Sequence, residues 1–252
     1  MRKIAIVTGA SAGIGRATAL LLAINDFDLI ITGRRNKNLE SLEKEIRSES
    51  DADVLSLTFD IRKQDEVVKA CKELSGKWKN VDLLVNNAGL AVGMNHIHEG
   101  VVDDWERMID TNIKGLLYIT REITPGMVER GSGYVINIGS IAGKEAYENG
   151  NVYNATKYAI DGLTQGMRID LAEHGIRVTA INPGAVDTEF SVVRFKGDQE
   201  RADSVYQGFE PLLANDIAEA ILFAVTRPPH VNIDDMLIMA TSQARTRKII
   251  KK

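Results

Sequence analysis

Short apolar runs recur along the chain, and between them apolar positions return every three or four residues. The runs are Lys3–Thr8, Asp28–Thr32, Asp53–Phe59, Val81–Val85, Val135–Ile138, Arg177–Ile181 and Met236–Met239. They are brief, nearly continuous in hydrophobicity and rich in β-branched side chains, the pattern of strands covered on both faces. The intervening periodicity predicts helices, among them Arg16–Asn25, Trp105–Arg130 and Val152–His174. Strand and helix alternating down a chain is the α/β pattern. It predicts a doubly wound parallel sheet of about seven strands, with helices on both faces, as one domain over residues 1–252. The stretch from about 188 to 209 breaks the alternation. A long irregular segment in a compact domain predicts a lid over a functional cleft.

Composition narrows the picture. The 252 residues suffice for one large core, and the formal charge of −4 gives no sign of a nucleic-acid binder. No segment approaches the roughly 20 apolar residues of a membrane span, and Met1-Arg2-Lys3 precedes an apolar run too short for a signal peptide. A cytoplasmic protein is the simplest expectation. The single cysteine, Cys71, cannot form an internal disulfide and reads as a packed, inert thiol. His96 and His98 share a loop without a third donor at recognisable spacing, so no metal site is expected. Asp103-Asp104 predicts a helix start, and the basic stretch Arg245–Lys252 a solvated terminus.

The candidate chemistry is concentrated in two places. After the first strand comes Gly9-Ala10-Ser11-Ala12-Gly13-Ile14-Gly15, and then a helix. Strand, glycine-rich turn and helix together predict a cradle for a dinucleotide pyrophosphate on the helix N-terminus. The second strand ends in Gly33-Arg34-Arg35, where a cofactor with a free ribose hydroxyl meets an acid. Two guanidiniums favour a 2′-phosphate, hence NADP(H) over NAD(H); the alternative is a solvated strand end. Asp60 is a candidate for the adenine, and Asn86-Asn87-Ala88-Gly89 for the floor of the cleft. The second place is Ser140 with Tyr153 and Lys157. Positions i and i+4 share a helix face, so phenol and amine can enter one cleft. A cation beside a tyrosine lowers its pKa and makes it a general acid or base, while Ser140 holds the oxygen that exchanges the proton.

Taken together, these segments are similar to the short-chain dehydrogenase/reductase family over nearly the whole chain. Thr8–Gly15 resembles its cofactor loop, Asn86–Gly89 its Asn-Asn-Ala-Gly segment, and Pro183-Gly184 with Thr188 its nicotinamide-facing stretch. Asn112, Ser140, Tyr153 and Lys157 fall at the positions of its catalytic tetrad. The resemblance implies a Rossmann-like fold and a cofactor site of Gly9, Ser11, Gly13, Ile14, Gly15, Arg34, Arg35, Asp60, Ile61, Asn87, Ala88, Gly89, Tyr153, Lys157, Pro183, Gly184, Val186 and Thr188. It implies Tyr153 as proton donor or acceptor, Lys157 on the nicotinamide ribose, Ser140 on the substrate oxygen and Asn112 holding a relay water. Thr188 and the Val186 backbone would anchor the carboxamide. Ala12 departs from the basic residue that many NADP-dependent relatives carry, which shifts weight to Arg34 and Arg35.

Asn87–Gly93 and Thr188–Asp198 resemble the branch that oxidises 3-hydroxy acids such as serine and allo-threonine. The expected activity is therefore NADP-dependent hydride exchange with a small hydroxy acid or semialdehyde. Arg194 is the candidate for gripping the carboxylate, against a surface ion pair, with Lys196 second and Tyr147 and Met94 lining the apolar side. A 3-oxoacyl thioester or a sulfonated aldehyde would use the same chemistry, and a dinucleotide sensor without turnover is the reading from another class. Relatives pair the helices equivalent to Trp105–Arg130 and Val152–His174, implying a homodimer or homotetramer.

Overall fold

A computed structural model describes residues 2–251; Met1 and Lys252, the ends of the expected domain and tail, lie outside the described residues. Seven strands form one parallel sheet: β1 (Lys3–Thr8), β2 (Phe27–Gly33), β3 (Val54–Thr58), β4 (Leu83–Asn86), β5 (Gly133–Ile138), β6 (Ile176–Pro183) and β9 (Asp235–Ile238). The order β3-β2-β1-β4-β5-β6-β9 reverses direction between β1 and β4, the switch point at which open α/β sheets bind ligands. The expected doubly wound sheet is thus observed, with strand ends differing by at most two residues from the periodic reading.

Continuous hydrophobicity in the strands has a simple cause. Successive side chains point to opposite faces, and both faces are covered. Ala5, Val7, Leu29 and Ile31 pack with α1 (Gly13–Ile24), α2 (Asn36–Glu49) and α9 (Ala214–Val225). Ile4, Ile6 and Ile30 face α3 (Gln64–Lys72), α5 (Leu116–Arg130) and α6 (Asn151–Ala172) on the other side. The single helix expected over Trp105–Arg130 is α4 (Val102–Ile109) joined to α5 by a π-helical stretch, Asp110–Gly115. The acidic pair does begin α4.

The expected irregular lid is more structured than its sequence suggests. It contains β7 (Val186–Asp187), α7 (Phe190–Arg194) and α8 (Gln199–Ser204), and β7 pairs in parallel with β8 (Leu212–Leu213). Each element is too short for its periodicity to show.

Candidate active site

The cleft above the C-terminal ends of β1, β4, β5 and β6 encloses about 900 Å³, the scale of a cofactor site. At one end lies the glycine turn. Gly13 has φ of 51°, and a Cβ there would press on the Thr188 side chain at 3.2 Å, so the turn and the base of the lid touch. A Cβ on Gly15 would overlap the Gly9 carbonyl and Asn87 Nδ2. That amide holds the loop by donating to Thr8 O at 2.8 Å and Gly9 O at 3.3 Å. The N-cap residue of α1, Ala12, supplies no side-chain cap, so the first amides of the helix are left to the cleft that Gly13 and Ile14 line. Uncapped amides at a helix N-terminus suit an anion. These features fit a dinucleotide pyrophosphate.

Thr8 opens the segment that resembles a cofactor loop, and its side chain has a role of its own. Its Oγ1 donates to Val85 O at 3.2 Å and accepts from the amides of Asn87 and Ala88, each at 3.0 Å. It thereby fixes the Asn87–Gly89 floor. Nothing in a strand-terminal threonine signals that role without its partners. Arg35 donates through Nε and Nη2 to Ser11 Oγ at 3.2 and 3.1 Å, and through Nη1 to Glu189 at 2.8 Å. The link spans the glycine turn and the lid. Arg34 also lines the cleft and is exposed. Asp60 and Ile61 are there too, but the Asp60 carboxylate is held by Arg62 at 2.6–3.0 Å. Burial would push that carboxyl up; the Arg62 fork outweighs it and holds it below its ordinary value.

At the other end α6 carries Tyr153 and Lys157 on one buried face, as the i, i+4 spacing predicts. Lys157 Nζ donates to Ile138 O at 2.9 Å and lies 5.9 Å from the Tyr153 ring centroid. Ser140 follows β5; its amide donates to Asn182 Oδ1 at 3.0 Å, and its Oγ accepts from Ala142 N at 3.1 Å. All three side chains face the cavity, as do Pro183, Gly184, Val186 and Thr188. The Val186 carbonyl is occupied by the Tyr206 hydroxyl at 2.8 Å.

Burial and a second cation add to the expectation drawn from spacing. Tyr153 stands above its ordinary pKa, first because burial disfavours a phenolate and next because of Tyr147; Ser140 and the Arg194 guanidinium pull it down. Lys157 is itself pulled down to about 8 by burial. A second cation, Arg194, therefore stands beside the phenol together with Lys157. Arg194 Cζ lies 5.6 Å from the Tyr153 ring, and its Nη2 donates to the Tyr147 hydroxyl at 2.5 Å.

Three further candidates have partners in the fold. Asn112 sits in the π-helical stretch, where it is 1% exposed, but its side chain is committed. Oδ1 accepts from Leu90 N at 2.8 Å, and Nδ2 donates to Leu90 O at 2.9 Å and Thr156 Oγ1 at 3.0 Å. Both amide protons are spent on the protein, which leaves a lone pair of Oδ1 or the backbone carbonyl as the acceptor for a relay water. Lys196 pairs with buried Asp104 at 2.7 Å and is not available to a substrate. The basic stretch at the C-terminal end folds back: Gln243 bridges Ile249, Ile250 N donates to Ser242 O at 2.8 Å, and Thr246, Arg247, Ile249 and Lys251 line the cleft. Gln243 also receives the Ala185 amide at 2.8 Å. The basic side chains of the stretch stay exposed, as charge suggests, and Glu145, which takes Arg245 at 3.5 Å, helps hold the turn against the body.

Elsewhere, Cys71 is a packed thiol whose burial pushes its pKa up to about 12. His96 and His98 are exposed and stacked at 5.7 Å, and among the described residues no three His, Cys, Asp or Glu side chains converge as a metal site. No described helix is long and apolar enough to cross a membrane.

Comparison with known proteins agrees with this geometry. The profile of the short chain dehydrogenase family matches residues 3–199. NADP-dependent 3-hydroxy acid dehydrogenase YdfG of Salmonella typhi is 45% identical over 242 residues, 96% of each chain. NADP-dependent 3-hydroxy acid dehydrogenase of Schizosaccharomyces pombe is 39% identical over 251 residues, 99% of this chain and 97% of that one. Among solved structures, the closed form of serine dehydrogenase complexed with NADP+ superposes with a TM-score of 0.92 at 42% identity, covering 99% of each chain.

Proposed function

The chain belongs to the short-chain dehydrogenase family, and from that premise we propose that it exchanges a hydride between NADP(H) and the hydroxyl-bearing carbon of a short 3-hydroxy acid. The observation that carries the substrate class is Arg194. It stands beside Tyr153 with no carboxylate partner among the described residues, and its buried Nε has no hydrogen-bond partner there. An unfilled guanidinium donor next to the proton-transfer group suits a substrate carboxylate. The names of the relatives at 45% and 39% identity support the same reading.

The residues then take the following roles. The amides of the Gly9–Gly15 turn and α1 bind the pyrophosphate, with Arg34 and Arg35 at the 2′-phosphate. Asn87, Ala88 and Gly89 form the floor; Ile61 and the Asp60 backbone border the adenine end, and Lys157 binds the ribose. Pro183, Gly184, Val186 and Thr188 border the nicotinamide. When bound, the cofactor accepts or delivers the hydride. Ser140 holds the reacting oxygen, and Tyr153 gives it a proton during reduction or takes one during oxidation. Because burial keeps the phenol protonated at neutral pH, this arrangement favours reduction of a semialdehyde there and oxidation at higher pH. Tyr147 and Arg194 orient the acid end.

Residues 188–209 act as the lid, anchored through the Gly93 amide on the Arg194 carbonyl at 3.0 Å and through Lys196 on Asp104. Pairing of protomers through α4, α5 and α6 would cover Ile109, Leu117, Tyr158 and Ile169, which stand exposed, and fits a homodimer or homotetramer.

The test is nicotinamide absorbance with a panel of 3-hydroxy acids and the Tyr153→Phe variant. Turnover by the native chain, lost in the variant while NADP+ still binds, supports the reading. Flat traces throughout, or an active Tyr153→Phe, overturn it.

A further inference from the structure

The substrate end of the cleft holds more positive charge than one carboxylate can use. Arg194, Arg201 and Arg247 all line it. The acidic side chains in the lining are Asp60 and Glu189, and both are spent on arginines of the cofactor end, Asp60 on Arg62 at 2.6 Å and Glu189 on Arg35 at 2.8 Å. Arg201 lies against the Phe195 ring at 4.5 Å, inside the lid. Arg247 is different. It comes from the folded-back C-terminal turn, and its Cζ lies 4.7 Å from the centre of the Tyr147 ring. Arg194 Cζ lies 5.2 Å from the same centre.

Two guanidiniums therefore share one aromatic ring, no more than about 10 Å apart. Among the described residues neither has a carboxylate within ion-pairing distance. Arg194 is half-buried and Arg247 exposed at the mouth of the cleft, and an anion that reaches both would collect charge-assisted hydrogen bonds from each. One carboxylate satisfies Arg194, which leaves Arg247 for a second anionic group at the far end of the substrate.

We infer that Arg247 forms a second anion subsite and that the preferred substrate is a 3-hydroxy dicarboxylate, with one carboxylate on Arg194 and the other on Arg247. The inference rests on the proposed function and deepens it. The carboxyl carbons of a five-carbon chain lie about 5 Å apart, short enough for both ends to reach a guanidinium at the usual charge-assisted distance of about 2.8 Å. The reaction is unchanged: with NADP+ bound, the cofactor would take the carbinol hydride, the Tyr153 phenolate takes the hydroxyl proton, and the product is the 3-oxo dicarboxylate. Tyr147 serves as the wall between the two subsites.

The experiment compares kcat/KM for 3-hydroxyglutarate and 3-hydroxybutyrate with NADP+, using the whole chain and its Arg247→Gln and Arg247→Lys variants. Expected is a preference of tenfold or more for the dicarboxylate, residing in KM. The preference should fall at least fivefold in Arg247→Gln and be partly kept in Arg247→Lys. A native preference at or below one, or an unmoved ratio in Arg247→Gln, overturns the inference while leaving the proposed function standing. If neither hydroxy acid is oxidised, the proposed function is decided by the wider panel of 3-hydroxy acids. Calorimetric binding of glutarate against butyrate to the NADP+-loaded protein then decides the subsite: tighter glutarate binding that Arg247→Gln abolishes upholds it, and equal binding overturns it.

Discussion

Replacing Arg194 with methionine separates two effects that the structure assigns to one side chain. Methionine keeps most of the apolar stem and deletes the charge and the donors. The first effect is on substrate binding. A charge-assisted hydrogen bond contributes about 1.5–3 kcal/mol, so KM for a 3-hydroxy acid should rise about 10- to 150-fold. The second is on Tyr153, whose ring centre lies 5.6 Å from the guanidinium carbon. At that distance Coulomb's law gives about 3 kcal/mol for an effective dielectric of about 20, and about 0.7 kcal/mol in water. Arg194 is half-buried, so screening places the value between these limits. The phenol should therefore lose about 0.5 to 2 pKa units of stabilisation of its ionised form. Oxidation requires the phenolate, and its rate limb on a pH profile should move to higher pH by that amount. The assay is the initial rate of NADPH formation over substrate concentration and pH. Arg194→Lys serves as the control, because it restores charge without the planar fork. It should return the pH limb toward its native position but leave KM raised. A KM within about twofold of native, together with an unmoved limb in Arg194→Met, would refute the reasoning.

Arg34→Ala combined with Arg35→Ala should weaken NADP+ about 10- to 100-fold more than NAD+, since only the 2′-phosphate uses the forks; equal losses in a fluorescence titration would overturn the cofactor preference. Gly15→Ala should lower both NADP+ affinity and Tm, because the new Cβ meets a backbone carbonyl that cannot move away; unchanged values for both would contradict the cradle. Lys157 has a folded pKa of about 8 against an ordinary 10.5. The sign follows from which state holds the proton. Between about pH 8 and pH 10.5 the unfolded chain keeps it and the folded chain does not, so stability rises with pH in that window. In urea unfolding without added cofactor, the native chain should gain up to about 3 kcal/mol there relative to Lys157→Met. A gap between the two that stays flat with pH would rule out burial as the cause.

Much of this molecule is written locally. The strands are readable in Lys3–Thr8 or Arg177–Ile181 because a strand buried on both faces must be apolar at every position, whichever helices cover it. The cofactor turn is readable because Gly13 and Gly15 answer to constraints within a few residues. The shared face of Tyr153 and Lys157 follows from the helical repeat alone. Charges and hydrogen bonds over long separations are another matter, since they depend on which distant groups the topology brings together. Spacing paired Tyr153 with Lys157, but burial shifts the pKa values of both, and a second cation beside the phenol, Arg194, comes from the lid. Nothing local shows that Asn112 spends its amide on Leu90 and Thr156, or that Lys196 meets Asp104. Nor does a run of basic residues reveal that it turns back to set Arg247 against Tyr147. The sequence by itself determined the sheet, the cradle and the reacting trio. Only the tertiary structure decided which charges meet, because electrostatic interactions depend on distance and burial in space rather than on separation along the chain.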